Sequence, residues 1–190
     1  MNAYMGVFDR LFGRKKNKPE QEEPRWSEMT PLEEFVKRFT DNGGLFLMAE
    51  KTDDIYRYLK QILNEEEKER YVLFDDAVED VLRKAGTDYT TSHRFDKEKD
   101  IFFAPVMHLI RNRGGIMLSA NQTGGIPWKK LPGTAVLLAT PSQLEDDPHE
   151  AMGSINRRFR NGYPEQIVTY THFHPGDEDF KKVYLILHYE

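Results

Sequence analysis

The chain of 190 residues contains no cysteine. That excludes disulfides, thiolate nucleophiles, and zinc or iron–sulfur clusters held on cysteines of this chain. It suits a reducing compartment. No apolar run approaches the roughly 20 residues that span a bilayer. Neither GxGxxG nor GxxxxGK[ST] occurs, so the usual nucleotide signatures are missing. No serine sits in a nucleophile elbow, and no pair of carboxylates stands apart as acid and base. A hydrolase reading therefore has no support. The net charge of −5, from 27 basic and 32 acidic residues, gives no overall pull toward nucleic acid or membrane. The amino terminus does not read as a signal peptide, because a short apolar stretch precedes its basic cluster. These absences lead us to expect a soluble cytoplasmic protein with no transmembrane segment and no nucleic-acid partner.

The content that is present suggests one domain with a leading arm. Residues 1–29 read as a flexible arm and linker. Val7, Phe8, Leu11 and Phe12 share one helical face ahead of Arg14, Lys15, Lys16 and Lys18, and "NKPEQEEP" has linker composition. Residues 30–190 read as an α/β domain. Thr30, Pro31 and Glu33 form a helix start, with Leu32, Phe35, Val36 and Phe39 at helical spacing and Gly43 as the stop. "LFLMAE" reads as a strand. Thr52 is expected to cap a second helix carrying Ile55, Leu59, Ile62 and Leu63. "YVLFD" reads as a strand, and "DDAVEDVLRKAG" as a third helix. Short apolar strands between amphipathic helices predict a parallel sheet covered on both faces.

The second half begins with "DIFFAPVMHLI" and "GGIMLSA", expected as a hairpin inserted in the sheet. "TAVLLAT" reads as the best core strand. Thr140, Pro141 and Gln143 form another helix start, and Asp147, Pro148 and Glu150 a further one. Met152, Ile155 and Phe159 follow on a core-facing side. Strands "QIVTYTHF" and "KKVYLILHYE" close the chain.

Three groups of residues can carry chemistry. The break Arg111, Asn112, Arg113, Gly114 and Gly115 combines guanidinium forks with freely turning backbone, which suits phosphate or carboxylate. The alternative is an ordinary turn with its arginines in water. Ser119, Asn121 and Gln122 add neutral hydrogen-bonding groups just beyond it. Thr140 and Ser142 stand at the carboxyl end of the core strand, where open α/β sheets bind ligands, although simple capping explains them too. His172 and His174 would share one face of a strand and are a weak metal candidate. The acidic Asp177, Glu178 and Asp179 that follow suit a solvated turn.

The order L-I-x-x-x-G-x-I-x-L-S-x-N-Q from Leu109, then L-P-G-x-A-V-x-L-A-T-x-S-Q-L from Leu131, then I-V-T-Y-T-H-F to Phe173, resembles the LUD domain family. That family is named for lactate utilisation. The short "FDRLFGRKK" also resembles small single-domain members from Bacteroidetes-type bacteria. The layout matches over roughly residues 5 to 190. The resemblance implies a three-layer α/β/α fold with a mostly parallel sheet, of the sugar-phosphate isomerase and CoA-transferase type. It implies an accessory role in oxidising L-lactate beside iron–sulfur partner proteins, which would carry any redox centre because this chain holds no cofactor of its own. It leaves open whether the chain is itself an enzyme, and whether it forms a homo-oligomer. Family members commonly read I-A-(E/D)-T-G where this chain has "IRNRG". An acidic, hydroxyl-bearing turn is replaced by a cationic one. Two readings follow. The pocket prefers small carboxylates or phosphates, or it is vestigial and the chain is a scaffold that docks through its amino-terminal segment.

Overall fold

The computed structural model describes residues 29–159, 162–176 and 181–189. The expected arm, apart from Met29, lies outside the described residues, as do Arg160, Asp177, Glu178 and Asp179. The first described helix starts where local chemistry requires it. The Thr30 hydroxyl accepts from the Glu33 amide at 3.3 Å, and the Glu33 carboxylate accepts from the Thr30 amide at 2.8 Å. Helix α1 (Pro31–Asp41) then buries Phe35 and Phe39 and closes on Asn42, with the expected Gly43 following at φ +91° as the stop. Strand β1 (Leu45–Ala49) leads into α2 (Thr52–Glu65). The residue capping α2 is Lys51, not Thr52. Asp54 in the first turn accepts from the Lys51 amide at 3.1 Å, so a carboxylate inside the helix satisfies the start and no hydroxyl is needed before it.

The chain continues through β2 (Arg70–Val72), a 3₁₀ turn at Asp76–Val78, α3 (Glu79–Ala85), β3 (Tyr89–Thr90) and β4 (Asp100–Pro105). Next come β5 (His108–Ile110), a 3₁₀ turn at Arg111–Arg113, β6 (Gly115–Leu118) and the single-turn helix α4 (Ala120–Thr123). The last part holds β7 (Thr134–Ala139), a 3₁₀ turn at Pro141–Gln143, β8 (Leu144–Glu145), α5 (Pro148–Arg158), β9 (Val168–Tyr170) and β10 (Lys182–His188).

Six strands form one sheet in the order β1-β10-β7-β4-β2-β3, and every neighbouring pair is parallel. The near-unbroken apolar strands follow from this arrangement, since a parallel sheet is covered on both faces and alternation cannot leave one face polar. In β4, Phe102 and Ala104 point one way and Ile101 and Phe103 the other. Helices α2 and α3 cover the Ile101 face, burying Ile55, Leu59, Ile62 and Leu82. The fold class is the expected one: an α/β protein with a parallel sheet flanked by helices.

The Phe102 face is built differently from expectation. The hairpin β5–β6 is antiparallel, as expected, but it is not inserted in the main sheet. It is the centre of a second sheet ordered β8-β5-β6-β9. Both edges of β4 are already occupied, by β2 and β7, so the chain leaving Pro105 has no free edge to pair with. It turns off the sheet and lays Leu109, Ile116 and Leu118 over the Phe102 face, beside Phe35 and Phe39 of α1. Helix α5 covers the outer side of the small sheet, packing Ala151 and Ile155 on Ile110 and Met117. Asp147 caps α5 as expected, accepting from the amides of His149 and Glu150 at 2.7 and 2.9 Å. Glu150 does not close a box on it but reaches the Asp146 amide at 3.4 Å.

Candidate functional site

The kink at Arg111–Gly115 lies against α1. The Arg111 guanidinium places Nη1 2.8 Å from Glu34 of α1 and Nε 2.8 Å from Asp146 in the loop before α5. It therefore joins three segments that meet only in the folded chain. Glu34 is also bonded by Arg38 at 2.9 Å, and these contacts hold its carboxyl below the ordinary value. The Asn42 side-chain Nδ2 donates to the Arg113 carbonyl at 2.8 Å. Asn112 and Arg113 are exposed, whereas Gly114 and Gly115 are buried, Gly114 on the α1 backbone and Gly115 on the methyls of Thr169 in β9 and Thr171 just after it. None of the five lines any of the three cavities described below. Replacing Arg111 with Ala is expected to lower the unfolding midpoint. The gap from wild type should narrow at high salt, because screening already weakens the native ion pairs. Thermal unfolding at two ionic strengths checks this, and a gap unchanged by salt would speak against ion pairing there.

The other residues singled out by sequence come together elsewhere. Two adjoining cavities of about 310 and 340 Å³ share Pro105, Gln143 and Arg158. They open at the carboxyl ends of β4, β7 and β10, the interior strands where open α/β sheets expose backbone for ligands. Ser119, Asn121 and Gln122 line the first cavity, together with His108 and Asp75. Thr140 and Ser142 line the second, with His188. Much of this polar surface is already committed. Ser119 caps α4 and donates to Gln122 Oε1 at 2.8 Å, while Gln122 Nε2 donates to Asp75 at 3.2 Å. Thr140 and Ser142 hydroxyls bond each other at 2.7 Å. Gln143 takes the Thr140 amide at 2.7 Å and gives to the Val106 carbonyl at 2.5 Å, tying the ends of β4 and β7 together.

Two groups lining this cleft and one behind them were not picked out by sequence as site residues. Arg158, the last residue of α5, lines both cavities. Its guanidinium sits 5.5 Å from the Phe159 ring, and among the described residues no carboxylate pairs with it. His108 opens β5, with its side chain only 13% exposed. Its Nδ1 is sealed from solvent and has no hydrogen-bond partner among the described residues. Burial pushes its imidazole below the ordinary value. The Glu145 carboxylate and the Gln143 backbone oppose that shift, and the Arg158 charge adds to it. The ring is therefore neutral near pH 7. Glu145, third of the group, has Oε1 3.7 Å from His108 Nδ1 and is pinned by the Ser154 hydroxyl at 2.6 Å.

His172 and His174 do not form a ligand pair. Strand β9 ends at Tyr170, so the alternation that would put both on one face does not reach them. His172 Nδ1 lies 3.0 Å from the Thr171 hydroxyl and His174 Nε2 lies 2.9 Å from the Asp41 carbonyl. Among the described residues no three His, Asp or Glu side chains gather as a metal site. A third cavity, about 490 Å³, runs between α1 and β1 and is mostly apolar.

The architecture is thus that of an α/β protein whose polar cleft sits at the carboxyl ends of a six-stranded parallel sheet. Its fold is shared with a crystal structure of a DUF162 family protein from Deinococcus radiodurans, with a TM-score of 0.63. The superposition covers 84% of this chain and 96% of that one, at 13% sequence identity. No family profile and no curated protein matches the sequence. Among the described residues no helix is long and apolar enough to cross a membrane.

Proposed function

We propose that this chain is an accessory component of lactate or related organic-acid utilisation, and that it binds a small organic anion in the cleft around Arg158. The observation that carries the reading is a guanidinium with no carboxylate partner among the described residues, at the mouth of a cavity of ligand size, at the strand ends. Arg158 is exposed with its guanidinium against the Phe159 ring, and the planar fork of an arginine suits a carboxylate. The neighbouring DUF162 structure supports the metabolic part, since DUF162 is the LUD domain family, which the sequence also resembles. Redox centres would reside on iron–sulfur partner proteins, because no cysteine is present to hold them here.

The cleft also favours carboxylate over phosphate. Asp75 lines its inner part and would repel a second negative charge while accepting from a hydroxyl. A singly charged hydroxy acid meets both ends, and an inorganic phosphate does not. Titration of the protein with lactate and with pyruvate, followed by NMR or calorimetry, tests this. Arg158→Ala should weaken binding about tenfold or more, in line with loss of a charge-assisted bidentate contact. Arg111→Ala should leave affinity unchanged. Equal affinity in wild type and Arg158→Ala would remove the site assignment. The alternative, a scaffold with a vestigial pocket that docks through its amino-terminal segment, gains support if neither acid binds and deleting residues 1–20 abolishes partner capture.

A further inference from the structure

We propose that His108 is a proton-transfer residue of the cleft, acting on a 2-oxo carboxylate held by Arg158 and backed by Glu145. This rests on the reading of the cleft as a small-carboxylate site. Three observations carry it.

Among the described residues His108 is the one imidazole lining the inner cavity, and its Nδ1 is enclosed without a hydrogen-bond partner. An orphaned buried donor or acceptor costs on the order of 1–3 kcal/mol, so folds rarely keep one without a use. Next, Glu145 Oε1 stands 3.7 Å from that nitrogen, just beyond hydrogen-bond reach, and Ser154 fixes it there at 2.6 Å. The neutral ring gains little from this neighbour. The imidazolium, with protons on both nitrogens, gains an ion pair after a small rotation. A base that must take up a proton and release it needs a partner of this kind for its charged form. Finally, Arg158 lines the same cavity without a carboxylate partner among the described residues, so a ligand carboxylate can neutralise it beside His108.

The step balances without any added oxidant. With Nδ1 turned to Glu145, Nε2 is the nitrogen left for the ligand. The C3–H bond of the 2-oxo acid breaks and its proton moves to Nε2. The C–H electron pair becomes the C2–C3 double bond, and the carbonyl π pair moves onto oxygen as an enolate. Return of a solvent proton to C3 restores the keto acid and the neutral ring. In deuterium oxide each cycle replaces one C3 hydrogen by deuterium.

The test follows the methyl signal of pyruvate by proton NMR in deuterium oxide with the full-length chain, against free imidazole at the same concentration. The wild type should wash the signal out faster than imidazole. His108→Gln and His108→Asn, both still binding pyruvate, should lose about 100-fold of that rate, the usual size of a general-base contribution. Glu145→Gln should slow the rate with little change in pyruvate affinity. If the wild type binds pyruvate through Arg158 yet exchanges no faster than imidazole, the proton-transfer role is overturned and the binding function stands. That role is overturned in the same way if folded, pyruvate-binding His108 variants exchange like wild type. If neither pyruvate nor lactate binds, the cleft assignment itself fails, and this inference with it.

Discussion

Replacing Gly114 with alanine should destabilise the fold by about 3–4 kcal/mol. Gly114 has φ of +56°, in the left-handed region that costs an L-residue roughly 1–2 kcal/mol. A Cβ there would also lie 2.4 Å from the Arg38 carbonyl carbon and 2.5 Å from the Phe39 nitrogen. Those are backbone atoms in the last turn of α1, so neither can swing aside as a side-chain tip would. The helix must lift from the kink, and forced overpacking of this kind costs about 1–3 kcal/mol. For a chain of this length the sum corresponds to a fall in the unfolding midpoint of about 10 °C. Gly125→Ala is the control. Its φ is +73° but nothing lies within 4 Å of the added carbon, so only the backbone strain is incurred. Equal losses in the two variants would show that α1 does not rest on the kink.

The kink illustrates why some of the proposed site was illegible in the sequence. Arginines beside glycines serve an anion receptor and an interior ion pair equally well, because both uses need the same donors. The partner that engages Arg111 is Glu34, 77 residues earlier in the chain, and it is visible only after α1 has docked. Arg158 failed in the opposite direction. At the end of an amphipathic helix it suits the negative pole of the dipole, a sufficient local reason for its presence. Its nearness to His108 depends on α5 packing over the small sheet, which no local pattern encodes. His108 was hidden among apolar neighbours, and a histidine opening a strand carries no periodic signal of its own. Thr140 and Ser142 were legible because a strand end followed by capping residues is a local feature with a general consequence in parallel sheets, whereas Ser119, Asn121 and Gln122 stood out only as neutral hydrogen-bonding groups beyond the kink.

The fold was more legible for the same physical reason. Capping boxes such as Thr30 with Glu33, and the Asp147 cap, are settled within four residues. Near-continuous apolar strands report burial on both faces, and this predicted the parallel sheet. The hairpin was readable as antiparallel from its short connection. Its allegiance to a second sheet was not, since that depends on β2 and β7 having claimed both edges of β4.

The same joint gives the second large effect. Phe39→Ala should cost about 3–5 kcal/mol, the range for truncating a fully buried aromatic side chain. Phe39 is 0% exposed, with its ring 5.7 Å from that of Phe35 and 5.3 Å from that of Phe173. It therefore links α1 to the segment after β9 across the face of the main sheet. Phe39→Leu keeps most of the volume and should cost less than half as much. The pair with Gly114→Ala should not be additive. Once the Phe39 ring is gone, α1 is held less firmly and can rise from the added Cβ, so the double variant should lose about 1 kcal/mol less than the sum of the singles. Urea titration of the four proteins supplies the cycle. Strict additivity would mean that helix and kink respond independently, and the Arg111 bracket between Glu34 and Asp146 would then be a surface contact and not the outer fastening of this joint.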